Sequence, residues 1–175
     1  GGVRTTATYP FPTEVAPANY ATFRINVKGL SGGHSGDDIN KKRGNANKIL
    51  VRFLVNEMEN LGLRLVDIQS GGLHNAIPRE GHAVCMVAND KKGELKAHLE
   101  AFSKDVAEEF AVTEKSISIT LEEVEAATKV MEAEAMRKML LSLHAVHNGI
   151  FAMSQDIDWL VETSSNLATI HSEGD

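Results

Sequence analysis

Between Ala21 and Val27 the apolar residues Ala21, Phe23, Ile25 and Val27 alternate with Thr22, Arg24 and Asn26, the two-residue period of a strand with one buried face. A glycine-containing loop follows, from Gly29 to Arg43. From about Asn45 to Asn60 the period becomes helical, with Leu50, Leu54, Met58 and Leu61 on one stripe, Phe53 beside it and Gly62 placed to end it. Leu63 to Ser70 reads as a second strand, Gly71-Gly72 breaks it, Ala83 to Ala88 reads as a third, and Asp90 to Gly93 as a turn. Leu95, Leu99, Phe102, Val106 and Phe110 recur at three- and four-residue steps and predict a second helix. Ile117, Ile119 and Leu121 then alternate with Ser116, Ser118 and Thr120 in a fourth strand.

The order β-α-β-β-α-β predicts an α+β fold, a ferredoxin-like two-layer sandwich spanning residues 18–126 with two helices on one face of a four-stranded antiparallel sheet. Beyond it, Glu132 to His144 (Met136, Met139, Leu140, Leu143) predicts a third helix and Leu167 to Ile170 a strand, while Val3 to Tyr9 is strand-like. Residues 1–17 and 127–175 are therefore expected to form an appended α/β layer joining the two ends of the chain, as an inserted domain requires. The chain begins Gly1-Gly2 without a Met, which suggests a piece of a longer polypeptide or a processed chain.

Charge and cysteine usage narrow the partners. Lys+Arg 18 against Asp+Glu 24 leaves a formal charge of -6 over 175 residues, which repels a phosphate backbone, so no nucleic acid partner is expected. The single cysteine, Cys85, cannot close an internal disulfide and sits in a strand as a small hydrophobe; no apolar run is long enough to span a bilayer and no secretory signal is evident. The expectation is a cytoplasmic chain with no membrane partner.

Two loops carry the candidate chemistry. Gly32-Gly33-His34-Ser35-Gly36-Asp37 presents one imidazole among three glycines just after a strand, where the backbone can take positive φ and approach a ligand closely. Such a histidine can donate to a carbonyl oxygen as negative charge develops on it; from spacing alone the segment is equally a glycine-rich turn whose histidine is merely exposed. Gly71-Gly72-Leu73-His74-Asn75-Ala76-Ile77-Pro78-Arg79-Glu80 offers a donor and acceptor in Asn75 and a planar fork in Arg79, although asparagine also favours turns and Pro78 shapes the approach to the next strand. His144 and His147 lie three apart near a helix end but lack a third ligand nearby, His171 falls in a tail with Glu173 and Asp175 that is expected to fray, and His82 and His98 need no special role. No HExxH, paired CxxC, P-loop, dinucleotide fingerprint or nucleophile elbow occurs, so the residues alone describe an α+β domain with two notable loops and no complete catalytic set.

At those loops the chain resembles a known family. Lys28-Gly29-Leu30-Ser31-Gly32-Gly33-His34-Ser35-Gly36, then Arg43-Gly44-Asn45-Ala46-Asn47-Lys48, Arg64-Leu65, Asn75-Ala76-Ile77-Pro78-Arg79-Glu80 and Val161-Glu162-Thr163-Ser164-Ser165-Asn166-Leu167 together resemble the lid of aminoacyl-histidine dipeptidases, the peptidase D or Xaa-His group. Gly-His-Ser-Gly is shared more widely among co-catalytic zinc peptidases; the longer strings point to the dipeptidase branch. The resemblance implies a two-domain parent that hydrolyses dipeptides, with two metal ions, usually zinc, and the general base on a catalytic domain of the same polypeptide that is absent here. It implies that this chain binds no zinc of its own and is inactive alone. By similarity His34 stabilises the oxyanion, within its own subunit or across a homodimer, and Asn75 contacts substrate. Arg79 is assigned to the dipeptide's terminal carboxylate, although the Pro-Arg pair is not general to the wider clan. A stand-alone small-molecule sensor or protein-interaction domain is the alternative, because a ferredoxin-like fold does not by itself decide function. An edge strand or the helix-free sheet face is open to pairing with a second copy.

Overall fold

Phe23, Ile25 and Val27 are all buried, and the elements that pack over them set the fold. The computed structural model describes residues 2–173. In chain order its elements are β1 (Thr13–Val15), β2 (Tyr20–Lys28), β3 (Gly33–His34), α1 (Ala46–Leu61), β4 (Arg64–Ser70), β5 (Ala76–Ile77), β6 (Gly81–Ala88), α2 (Lys92–Glu109), β7 (Ser118–Glu123), β8 (Lys129–Met131), α3 (Ala133–Ala145), β9 (Gly149–Met153), β10 (Val161–Ser165) and β11 (Ile170–His171). The main sheet runs β11-β4-β6-β2-β7 with every neighbouring pair antiparallel. Its four strands β2, β4, β6 and β7, with α1 and α2, make the βαββαβ plan, the first and third strands central.

Local chemistry sets the helix ends. Asn45 caps α1 by accepting the Lys48 amide, and Gly62 closes it in the left-handed region at φ 63°. Ile49, Leu50, Phe53 and Leu54 of α1 and Leu95, Leu99 and Val106 of α2 share one core with Leu65, Ile68, Ala83 and Val87 of the sheet. A register shift between Leu65 and Asp67 lets both Leu65 and Ile68 face inward, which strict alternation would forbid. Cys85 is wholly buried in this core, and burial pushes its thiol up to about 12, which rules it out as a nucleophile.

The flanks depart from expectation in several places. Residues 3–9 form no strand and lie exposed; the N-terminal pairing comes later, where β1 joins β8. A period-2 sequence makes a strand only when another strand lies beside it, and none lies beside Val3 to Tyr9. The third helix is present as α3 and shares the core through Met136, Met139 and Leu140, with the Glu132 carboxylate accepting the amides of Glu134 and Ala135 at its start. The tail around His171 is pinned rather than frayed: β11 pairs with β4, and Ser172 accepts the Ile68 amide at 2.8 Å. Asp175 lies outside the described residues. The hairpin of β9 and β10 was not foreseen, because neither strand has a buried face to impose alternation. None of the helices among the described residues is long and apolar enough to cross a membrane.

Candidate functional site

Strands β3 and β5 pair Gly33 with Ile77 and His34 with Ala76. The Ser35 amide donates to the Asn75 carbonyl at 2.9 Å, so the two notable loops form one structure. His34, Asn75 and Arg79 all line a single open groove of about 930 Å³. Its floor is the helix-free face of the sheet, with Arg24, Asn26 and Lys28 from β2, Gln69 from β4 and His82 from β6. A groove of that size with a few convergent polar groups is the usual form of a small-molecule site.

His34 is presented, with its side chain 52% exposed. Its Nδ1 accepts the amides of Gly36 at 3.1 Å and Asp37 at 3.2 Å. An acceptor nitrogen keeps its lone pair, so in the neutral ring the proton sits on Nε2, and that N–H is the group free to donate. The loop backbone is held just as closely. Asp38 accepts the His34 amide at 2.8 Å and is paired with Lys41 at 2.5 Å and Arg43 at 3.4 Å, while Arg43 donates to the Gly32 carbonyl. Gly33 is at φ 137°, and a Cβ there would run into the Arg43 guanidinium and the Asp38 carboxylate, so only glycine fits.

Sequence reasoning missed a carboxylate that closes this loop from below. Glu114, 2% exposed, accepts the Ser31 amide at 2.7 Å and the Gly44 amide at 2.8 Å, tying together the two ends of the segment that carries His34. Nothing in its local sequence separates Glu114 from the solvated glutamates around it. The basic floor was equally hard to see, although Arg24 and Asn26 were placed on the polar side of their strand. Burial first, then the Arg24 and Lys28 charges, hold His82 below its ordinary value against the upward pull of Asp67.

The Lys41 hydrogen bond, and then the His34 amide, hold Asp38 below its ordinary value of 3.8. A carboxylate lowered in the folded state contributes stability above its unfolded value, and that contribution is lost as pH falls through the folded one. We therefore expect the His34 loop to loosen only at pH below about 4, seen as loss of amide-exchange protection at His34. The same loss should appear at neutral pH in Asp38→Ala. Unchanged protection in that variant would contradict the clamp.

The fit to metals is poor. Among the described residues, no three His, Cys, Asp or Glu side chains come together in a cluster that could hold a metal ion. His144 is exposed, and His147 stacks on Phe151 at 3.7 Å and bonds Ser165.

The structure therefore describes an α+β ferredoxin-like domain that offers a histidine N–H and other polar groups at one face. The class is a peptidase accessory domain: residues 16–114 match the family described as peptidase dimerisation domain, and the chain belongs to that family. It is 38% identical over 170 residues to the cytosol non-specific dipeptidase of Escherichia coli strain K12, across 97% of this chain and 35% of that protein. The crystal structure of aminoacylhistidine dipeptidase from Vibrio alginolyticus matches with a TM-score of 0.91 and 34% identity, over 93% of this chain and 33% of that one. The chain thus spans about a third of the length of each of these dipeptidases, and the stand-alone sensor is the less favoured reading.

Proposed function

We propose that this chain is the lid and dimerisation domain of a metal-dependent dipeptidase of the Xaa-His type. In this reading residues 18–126 are its ferredoxin-like core, and residues 1–17 and 127–175 are the flanks that join a catalytic domain of the same, longer polypeptide. The observation that carries the reading is the β3–β5 bridge, which puts the free Nε2–H of His34 and the Asn75 loop on one groove.

Among the described residues no cluster fits the two zinc ions that such an enzyme uses; in this reading the ions are held by the catalytic domain, and no step is routed through them here. What the chain supplies is hydrogen bonding and charge. As a peptide carbonyl is attacked, negative charge grows on its oxygen, and the Nε2–H of His34 donates to it. Asn75 offers its amide to the substrate backbone, and Arg79 takes the terminal carboxylate. Glycines flanking both loops let the backbone come close to the ligand.

The family is a dimerisation domain, and β7 is paired only with β2 among the described residues, leaving its outer edge open. We assign that edge, rather than the groove-bearing sheet face, to homodimer contact. The polypeptide acts in the cytoplasm, with neither a nucleic acid nor a membrane as partner.

The test is hydrolysis of an Xaa-His dipeptide and a panel of other dipeptides by the polypeptide that includes the flanking segments. Turnover should disappear with a chelator and return with zinc. Failure to hydrolyse any dipeptide would overturn the assignment. Substrate breadth is what the panel decides, since one relative is called non-specific and the other aminoacylhistidine-directed. Sedimentation should show a dimer, and a strict monomer would remove the pairing while leaving the catalytic role in place.

A further inference from the structure

Asn45 and Asn47 from the Arg43–Lys48 string, Asn148 and Asn166 form a largely buried cluster beneath the groove, against which the Asn75–Glu80 string rests. Asn45 is 4% exposed and Asn47 is fully buried. Asn45 Nδ2 faces Asn148 Oδ1 at 2.9 Å, Leu167 O at 3.1 Å and Asn166 Oδ1 at 3.4 Å, while Asn45 Oδ1 accepts the Lys48 amide. Asn47 Nδ2 donates to the same Leu167 carbonyl at 2.9 Å, and Asn148 Oδ1 accepts the Leu167 amide at 2.9 Å. Backbone groups thus dictate which end of the Asn45 and Asn148 amides is oxygen and which is nitrogen.

From this cluster one contact reaches the site. Asn166 Nδ2 donates to the Ala76 carbonyl at 2.7 Å, and Ala76 is the residue paired with His34. The Ala46 amide adds a bond to the Pro78 carbonyl at 2.9 Å, on the other side of Ile77. The turn before Ala76 is otherwise sparsely held: Leu73, His74 and Asn75 are exposed, and the Ala76 amide turns back to Leu73 O at a long 3.2 Å.

We propose that Asn166 is a positioning residue, which sets the Asn75 loop and, through the β3–β5 bridge, the His34 loop, by holding the Ala76 carbonyl against the asparagine cluster. This deepens the lid reading and rests on it for its catalytic consequence. A side-chain amide suits the task because it receives Asn45 at its oxygen while giving its N–H to Ala76, a pair of roles that neither a carboxylate nor a hydroxyl with one hydrogen fills as well in the same space.

Asn166→Asp keeps the shape and the acceptor but replaces the donor with an oxygen that faces the Ala76 carbonyl. By amide hydrogen exchange on the protein itself, Ser35 and Ala76–Ile77 should exchange faster by about tenfold or more, the equivalent of one net hydrogen bond, while β2 and β6 keep their protection. Glu162→Gln, on the exposed side of β10, should change neither. Unchanged exchange at Ser35 and Ala76–Ile77 overturns the proposal, and so does an equal rise throughout β2 and β6, which marks a purely structural residue. In the longer polypeptide Asn166→Asp should lower dipeptide kcat by about tenfold with little change in Tm. The same change on a His34→Ala background should cost nothing further in kcat, because the part that passes through the β3–β5 bridge acts on His34, while any remaining loss through the Asn75 loop falls on KM; multiplicative losses in kcat overturn the coupling. If His34→Ala alone leaves turnover intact, the oxyanion role of His34 fails instead, and the exchange pattern still judges the positioning role.

Discussion

His34→Ala in the full-length polypeptide is expected to lower dipeptide turnover by about a hundredfold or more, roughly 3 kcal/mol of barrier, while metal content stays the same. The size follows from what the ring offers. Nδ1 is committed to two backbone amides, so in the proposed role the side chain offers one oriented N–H that needs no rearrangement when charge develops on the substrate. Because that interaction strengthens only as the carbonyl oxygen becomes anionic, the loss should fall on kcat more than on KM. The fold should not notice the change, since the imidazole is half exposed and contributes nothing to the core. Equal kcat for the two proteins, with folding and metal content verified, would take His34 out of the mechanism.

Phe53→Ala is expected to destabilise the domain by about 3–5 kcal/mol, the range for removing a buried aromatic ring and leaving a cavity behind. Phe53 is 2% exposed on the sheet-facing side of α1 and packs on Phe102 of α2 with ring centroids 5.2 Å apart, and Arg52 lies over the Phe102 ring at 5.1 Å. It therefore joins the two helices to each other as well as to the sheet. For a domain of this size the loss corresponds to a fall in Tm of about 10–15 °C, measurable by thermal denaturation. A loss below about 1 kcal/mol would mean that neighbouring side chains collapse into the space and that the helix pair is less tightly packed than the geometry shows.

The two predictions probe different layers of the molecule, and those layers were unequally visible in the chain. Helices α1, α2 and α3 and the four strands of the core plan fall within a few residues of where periodicity put them. Each has one face in a common core, and burial of one face is written into every second, third or fourth residue. His34 and the Asn75–Arg79 loop stood out because glycines, proline and isolated polar side chains interrupt that pattern. Their meeting was not visible. Nothing between Gly33 and Ile77 announces that the two short segments pair, because a two-residue bridge has no period.

The same reason explains the other surprises. Glu114 lies 83 residues from the Ser31 amide it accepts, and Asn166 lies 90 residues from the Ala76 carbonyl it holds. Each is a single polar group whose partner is chosen by three-dimensional proximity, so its local sequence resembles that of any solvated glutamate or asparagine. The β9–β10 hairpin escaped for want of a buried face, and Val3 to Tyr9 misled because alternation without a neighbouring strand has no hydrogen-bond partners to satisfy it. Periodic burial, a local property, was enough to determine the order and type of the elements from sequence. The loop bridge and the asparagine support beneath the groove were decided only by tertiary structure, because hydrogen bonds between distant segments depend on which backbone groups the fold brings within about 3 Å.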